Sequence, residues 1–183
     1  ALPRVAINCG PAQHVVTPHT ASLAQLAVPH LVARGRRRFA ALAYQSDATH
    51  VAAEFAPLLN AHGLAFERRW FQATGTGSAA HCLELMFHPS QGDRPDGLFI
   101  LDDNLVPEAT RALAALKLKI PAELEVLAHT NFPWPTESAV PVTRLGFDVR
   151  RLLETAIQIV DRRRRGEPVA PVTAVPATWN PTA

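Results

Sequence analysis

Cysteine is almost absent from this sequence: 183 residues hold only Cys9 and Cys82, far apart and without a paired spacing. That pattern excludes a disulfide framework and suits a reducing compartment, so a cytoplasmic location is expected. No run of eighteen apolar residues occurs, which excludes a membrane-spanning helix and any membrane partner that would need one. HExxH and CxxC are both missing, and the eight histidines lack the spacing of a tetrahedral zinc site. His81, Cys82 and His88 come nearest to a cluster, yet on a helix His81 and His88 lie two turns apart, too far to share a metal.

Signals for phosphate and nucleophile chemistry are missing too. There is neither a Walker loop nor a G-x-S-x-G elbow. Gly75 and Gly77 form a G-x-G, but Ala80 stands where a dinucleotide fingerprint needs its third glycine, so this stretch reads as a loop. No catalytic residue, metal or cofactor is expected. Large excess charge is lacking as well: the net charge of +2 is too small to imply a nucleic-acid partner. The arginines nevertheless cluster at Arg34, Arg36 to Arg38 and Arg162 to Arg165, and the last run reads as a solvated helix end whose cations complement the helix dipole.

What is present is alternation. Apolar runs rich in β-branched or aromatic residues lie at 4–8, 15–17, 38–44, 65–71, 97–101 and 124–128. Helical spacing separates most of them: Leu23, Leu26, Ala27 and Leu31; Val51, Phe55, Leu58 and Leu59; Val106, Ala109, Leu113 and Leu116. Val149, Leu152, Leu153, Ala156 and Val160 mark a fourth helix, and the proline-rich tail holds at most one short strand over 172–177. Gly35 and Gly63 supply stops. Pro29 and Pro57 fall inside two of the helices, where a lost N–H and a ring clash are expected to kink or shorten them. Strand–helix alternation with continuously apolar strands predicts an α/β class with doubly wound parallel sheets. Asp102 and Asp103 follow the 97–101 strand, at the carboxyl end where open α/β sheets bind ligands. One of them reads equally as the cap of the next helix.

Four colinear stretches carry a resemblance. Arg94-Pro-Asp-Gly-Leu-Phe-Ile-Leu-Asp-Asp103 resembles the LacI/GalR segment in which "PDA", an apolar strand and "ND" precede a helix. Lys119 to Leu127 is similar to that family's "gi-x-vP-x-di-x-vv" strand, His30 to Ala40 to its "L-x-x-x-G-h-r-r-I-a" junction, and Phe55 to Leu64 to its "Gf-x-x-aL-x-x-x-Gl". The resemblance implies the ligand-sensing, dimer-forming part of a LacI/GalR-type transcription regulator. It also implies a two-lobed periplasmic-binding-protein-like (type I) fold with a cleft between the lobes and an incomplete N-terminal lobe. Residues 1–36 would end the N-terminal lobe, 37–128 form the C-terminal lobe, 129–165 return to the N-terminal lobe and 166–183 be a C-terminal-lobe tail. The expected partners are a small-molecule effector and a second copy, with operator DNA reached only through a headpiece outside these residues. A stand-alone solute-binding protein of the same fold is the alternative.

Departures from the family pattern bear on the ligand. Val51 stands where the family commonly places an arginine, Thr17-Pro18-His19 where an aspartate precedes the first helix, and Ala128-His129-Thr130-Asn131 where it has "G-y/f-D-d". Asp103 survives, and Gln45, His129, Thr130 and Asn131 are placed to supply neutral hydrogen bonds. Trp134 or Phe132 would stack on a ring or serve as core or hinge packing. A small, polar, uncharged effector is therefore expected.

Overall fold

In a computed structural model of the chain, residues 2–8, 10, 12–44 and 48–180 are described. The elements follow in the order β1 (Val5–Ile7), β2 (His14–His19), α1 (Ala21–Ala33), β3 (Phe39–Tyr44), α2 (Ala48–Ala61), β4 (Phe71–Thr74), α3 (Ala79–Met86), β5 (Gly97–Ile100) and α4 (Val106–Ala115). They continue with β6 (Glu125–Phe132), β7 (Thr143–Asp148), α5 (Val149–Arg164), β8 (Val172–Pro176) and β9 (Thr178–Trp179). The smaller sheet has the order β1-β2-β8 and the larger β4-β3-β5-β6-β7-β9. All pairings are parallel except β7 with β9. This is the α/β class that the alternation predicts.

The central strands β3 and β5 are buried along almost their whole length, as a parallel sheet covered on both faces requires. Strand alternation splits their side chains between two cores. Phe39, Ala41, Phe99 and Leu127 join buried residues of α1, α2 and α5. Leu42, Leu98, Ile100 and Val126 join those of α3 and α4. In α1 the buried Leu23, Ala27, Val28 and Leu31 form one helical face, and each fully buried leucine is worth about 1.5–3 kcal/mol. Leu31 lies against Gly97, where an added Cβ would meet it at 3.3 Å, so α1 covers the larger sheet.

Sheet membership differs from the expected segments. β7 pairs with β6, so the larger sheet runs on well past residue 129. β8 of the tail pairs with β2 in the smaller sheet, and only β9 reaches the larger one. α5 packs on β1 and β2. Trp179 stacks on His30 at 4.7 Å between ring centres. His30 in turn lies 3.9 Å from the buried carboxylate of Glu125, which also faces Arg34 at 3.6 Å and Arg36 at 3.7 Å.

Pro29 and Pro57 do not shorten their helices, because α1 and α2 continue through them. Both rings occupy exposed positions, and the carbonyls that lose a donor belong to exposed Gln25 and Ala53, where solvent takes over the bond. The stretch 65–71 is not a strand throughout: Arg68–Trp70 forms a single 3-10 turn before β4. Arg68 and Arg69 are both exposed, whereas a strand would have turned one of them inward.

Candidate ligand-binding site

The chain runs from β3 outward to β4 and then returns to place β5 on the other side of β3. Such a reversal opens a crevice at the carboxyl ends of the two strands. Asp102 and Asp103 stand there, directly after β5. Asp102 closes a local turn, its Oδ1 accepting from the backbone N–H and the side-chain Nδ2 of Asn104, both at 2.9 Å. Asp103 does not cap α4: the helix starts after Leu105 without a side-chain cap. Its Oδ2 instead accepts from Asn131 Nδ2 at 2.7 Å, across to the end of β6.

His129 and Asn131 are two apart on β6 and so point to the same face. The His129 ring packs against Phe147 at 5.7 Å, and its buried Nδ1 has no hydrogen-bond partner among the described residues. Burial pushes the His129 pKa below the ordinary imidazole value, while the charges of Asp103 and Asp102 oppose that shift. The site therefore offers two carboxylates, a carboxamide and a neutral imidazole. Among the described residues no cation forms a salt bridge with Asp102 or Asp103. Such a set accepts hydrogen bonds and disfavours an anion.

Other sequence-based candidates are placed differently. The Thr130 side chain is fully buried on the opposite face of β6, with its hydroxyl on Ala128 O at 3.4 Å. Its backbone is pressed by Gly146 of β7, where an added Cβ would lie 1.8 Å from Thr130 O. Trp134 follows in a turn closed by its N–H on Asn131 O at 3.0 Å and is 66% exposed, whereas Phe132 is buried. Gln45 lies outside the described residues. Val51, at the position of the family arginine, is a buried core residue.

Two features near this end were not legible in the sequence. Glu108 of α4 accepts from the backbone N–H of Gly77 at 2.6 Å and of Ala80 at 3.1 Å, so one helix caps the start of another. Those bonds, that to Gly77 foremost, hold the Glu108 pKa below the ordinary carboxylate value. Arg144 of β7 donates to Thr136 O at 2.6 Å while its Nη1 is buried without a partner among the described residues, and burial lowers its pKa. The G-x-G loop thus serves to seat α3 against Glu108. Among the described residues no group of three or more His, Cys, Asp or Glu is placed to hold a metal ion, and His88 sits beyond α3 with Nδ1 2.6 Å from Ser90 Oγ. No helix is long and apolar enough to cross a membrane among those residues.

Comparison with known proteins points one way. The HTH-type transcriptional repressor PurR of Aliivibrio fischeri (strain MJ11) is 23% identical over 143 residues, which are 75% of this chain and 42% of the repressor. Among solved structures, a LacI-family regulatory protein from Chloroflexus aggregans superposes with a TM-score of 0.81 at 18% identity, covering 97% of this chain and 66% of that one. The Escherichia coli transcriptional repressor ascG gives 0.75 at 16% identity, with 97% and 65% covered. The chain thus spans about two fifths of the curated repressor's length and about two thirds of the solved chains. Residues 28–181 match the family described as periplasmic binding protein-like domain, and the chain belongs to that family, with the fold that the LacI-type regulators share.

Proposed function

We propose that this chain is the effector-binding and dimer-forming domain of a LacI/GalR-type transcription regulator. The observation that carries this reading is the Asp103–Asn131 bridge beside the unpartnered His129, at the strand ends where the two sides of the sheet diverge. A small polar molecule seated there would satisfy His129 Nδ1 and the free carboxylate oxygens, and preference for one closure of the cleft would shift the orientation of the two sheets. The effector is neutral and rich in hydroxyl or amide donors, because Val51 replaces the expected cation. DNA reading belongs to a segment of the regulator outside these residues, so residues 1–183 by themselves have no operator specificity.

Dimer formation belongs to the same reading. Leu153 and Ile157 are exposed one turn apart on α5, and Ile7 and Val172 are exposed on the outer strands of the smaller sheet. Such apolar surface invites association. A thermal-shift panel of sugars, nucleosides and small acids tests the ligand, since a compound that binds only the native state raises the midpoint. Stabilisation by neutral polyols or nucleosides that disappears in Asp103→Ala is expected; selective stabilisation by anionic compounds would sink the assignment. Light scattering at micromolar concentration tests the dimer, which a clean monomer would refute.

A further inference from the structure

Beside the amino-terminal ends of β1 and β2 lies a hollow of about 610 Å³. Its polar wall is made by Arg4, Gln13, His14 and Arg163, the rest is apolar, and none of the lining side chains is acidic. The arginine run that closes α5 is not uniform. Arg162 and Arg165 pair with Glu167 at 3.2 and 2.6 Å, and Arg164 pairs with Asp161 at 3.6 Å. Arg163 has, among the described residues, only the backbone carbonyl of Glu167 at 3.5 Å. Among the described residues no carboxylate pairs with Arg163 or Arg4. Ion pairs with two carboxylates, Glu167 and Asp161, therefore engage three of these arginines and leave the one that faces the hollow. His14 is buried with Nδ1 donating to Ala170 O at 3.0 Å, which fixes the ring at the edge of the hollow.

We propose that this hollow is an oxyanion site that takes a phosphate group, held by the guanidinium forks of Arg4 and Arg163 with Gln13 and His14 beside them. Guanidinium geometry matches phosphate oxygens two at a time, and a wall without acids imposes no repulsion on the ligand. The phosphate is either that of a small free molecule or that of a nucleic-acid backbone. The second source would make this hollow the point where the domain touches DNA without reading its sequence. This proposal does not depend on the ligand site at Asp103.

Two double variants test it: Arg4→Gln with Arg163→Gln, and Arg150→Gln with Arg151→Gln at the other, exposed end of α5 as a control of equal charge. Circular dichroism and the urea midpoint confirm that both fold. Titration of the chain with inorganic phosphate, followed by amide NMR, is expected to shift signals around Arg4, His14 and Arg163. The first variant should weaken that binding about tenfold or more, as the loss of charge-assisted hydrogen bonds predicts, and the control should not. A short duplex of random sequence distinguishes the sources. If the backbone is the ligand, the slope of log affinity against log salt falls by about two in the first variant relative to the control. If phosphate binds selectively but the slopes are equal, the ligand is a small phosphorylated molecule. Absence of phosphate and duplex binding at low salt, or equal loss in both variants, overturns the proposal.

Discussion

Asn131 Nδ2 donates to Asp103 Oδ2 at 2.7 Å although 28 residues separate them. The bond ties the loop after β5 to the end of β6, and it holds one oxygen of a carboxylate that meets no described cation. Removing the donor leaves a half-buried acceptor unpaired, which costs about 1–3 kcal/mol. Asn131→Ala is expected to lower the unfolding free energy by that amount and to abolish any ligand-induced rise of the thermal midpoint. Chemical unfolding with and without the stabilising compound checks both effects.

Of the two glycines in the larger sheet, Gly146 has the less room. A Cβ there would lie 1.8 Å from the Thr130 carbonyl oxygen and 2.7 Å from the Thr130 carbonyl carbon and amide nitrogen, all of them backbone atoms that cannot swing aside. Gly146→Ala must push β7 away from β6 and is expected to destabilise by at least the roughly 1–3 kcal/mol typical of overpacking. The same change at Gly92, where a Cβ meets nothing within 4 Å, should be close to neutral. Parallel urea melts of the two variants decide the point.

Glu108 replaces the missing cap of α3. Ser78 at the start of that helix makes no side-chain capping bond, whereas the Glu108 carboxylate takes the Gly77 and Ala80 N–H groups. Glu108→Ala should cost about 0.5–2 kcal/mol, the range for losing a helix cap. Its signature is local: hydrogen exchange is expected to accelerate first over residues 77–86, with β3 and β5 unchanged.

His129 and His30 make stability fall with acid. Burial holds both imidazoles below their ordinary pKa, outweighing the carboxylates that pull the other way, Asp103 and Asp102 for His129 and Glu125 for His30. Between the depressed folded pKa and the unfolded value of about 6.5, the unfolded chain binds more protons. The stabilisation is therefore complete above the unfolded value and is lost as pH falls through the folded one. The thermal midpoint should drop on acidification below about pH 6.5, and His129→Gln should flatten that decline. An unchanged pH profile in the variant would show that His129 does not contribute.

Much of the fold was legible from periodicity. The runs at 38–44 and 97–101 are short and apolar at nearly every position, as strands covered on both faces are. α5 was legible for a different reason: Val149, Leu152, Leu153, Ala156 and Val160 recur at helical spacing while arginines crowd its end, although the face that is buried is Leu152, Ala156 and Ile159, with Leu153 exposed. α3 and β7 were not read. α3 is short and its start is capped from another helix, while the β7 segment Thr143–Asp148 mixes Arg144 and Gly146 with apolar residues. Local pattern carries no record of a partner brought from far along the chain.

The same division holds at the candidate site. From sequence alone came the position of Asp103 after a core strand and the residue types at 128–131, since both depend on local order and on strand polarity. Which of those side chains meet was decided by tertiary structure. The pleat of β6 sends His129 and Asn131 to one face and Thr130 to the other, and the register of β5 with β6, pairing Ile100 with Ala128, brings Asp103 within reach of Asn131. A parallel pairing is set by burying two sheet faces at once, a sum over dozens of distant contacts, so no window of the sequence contains it.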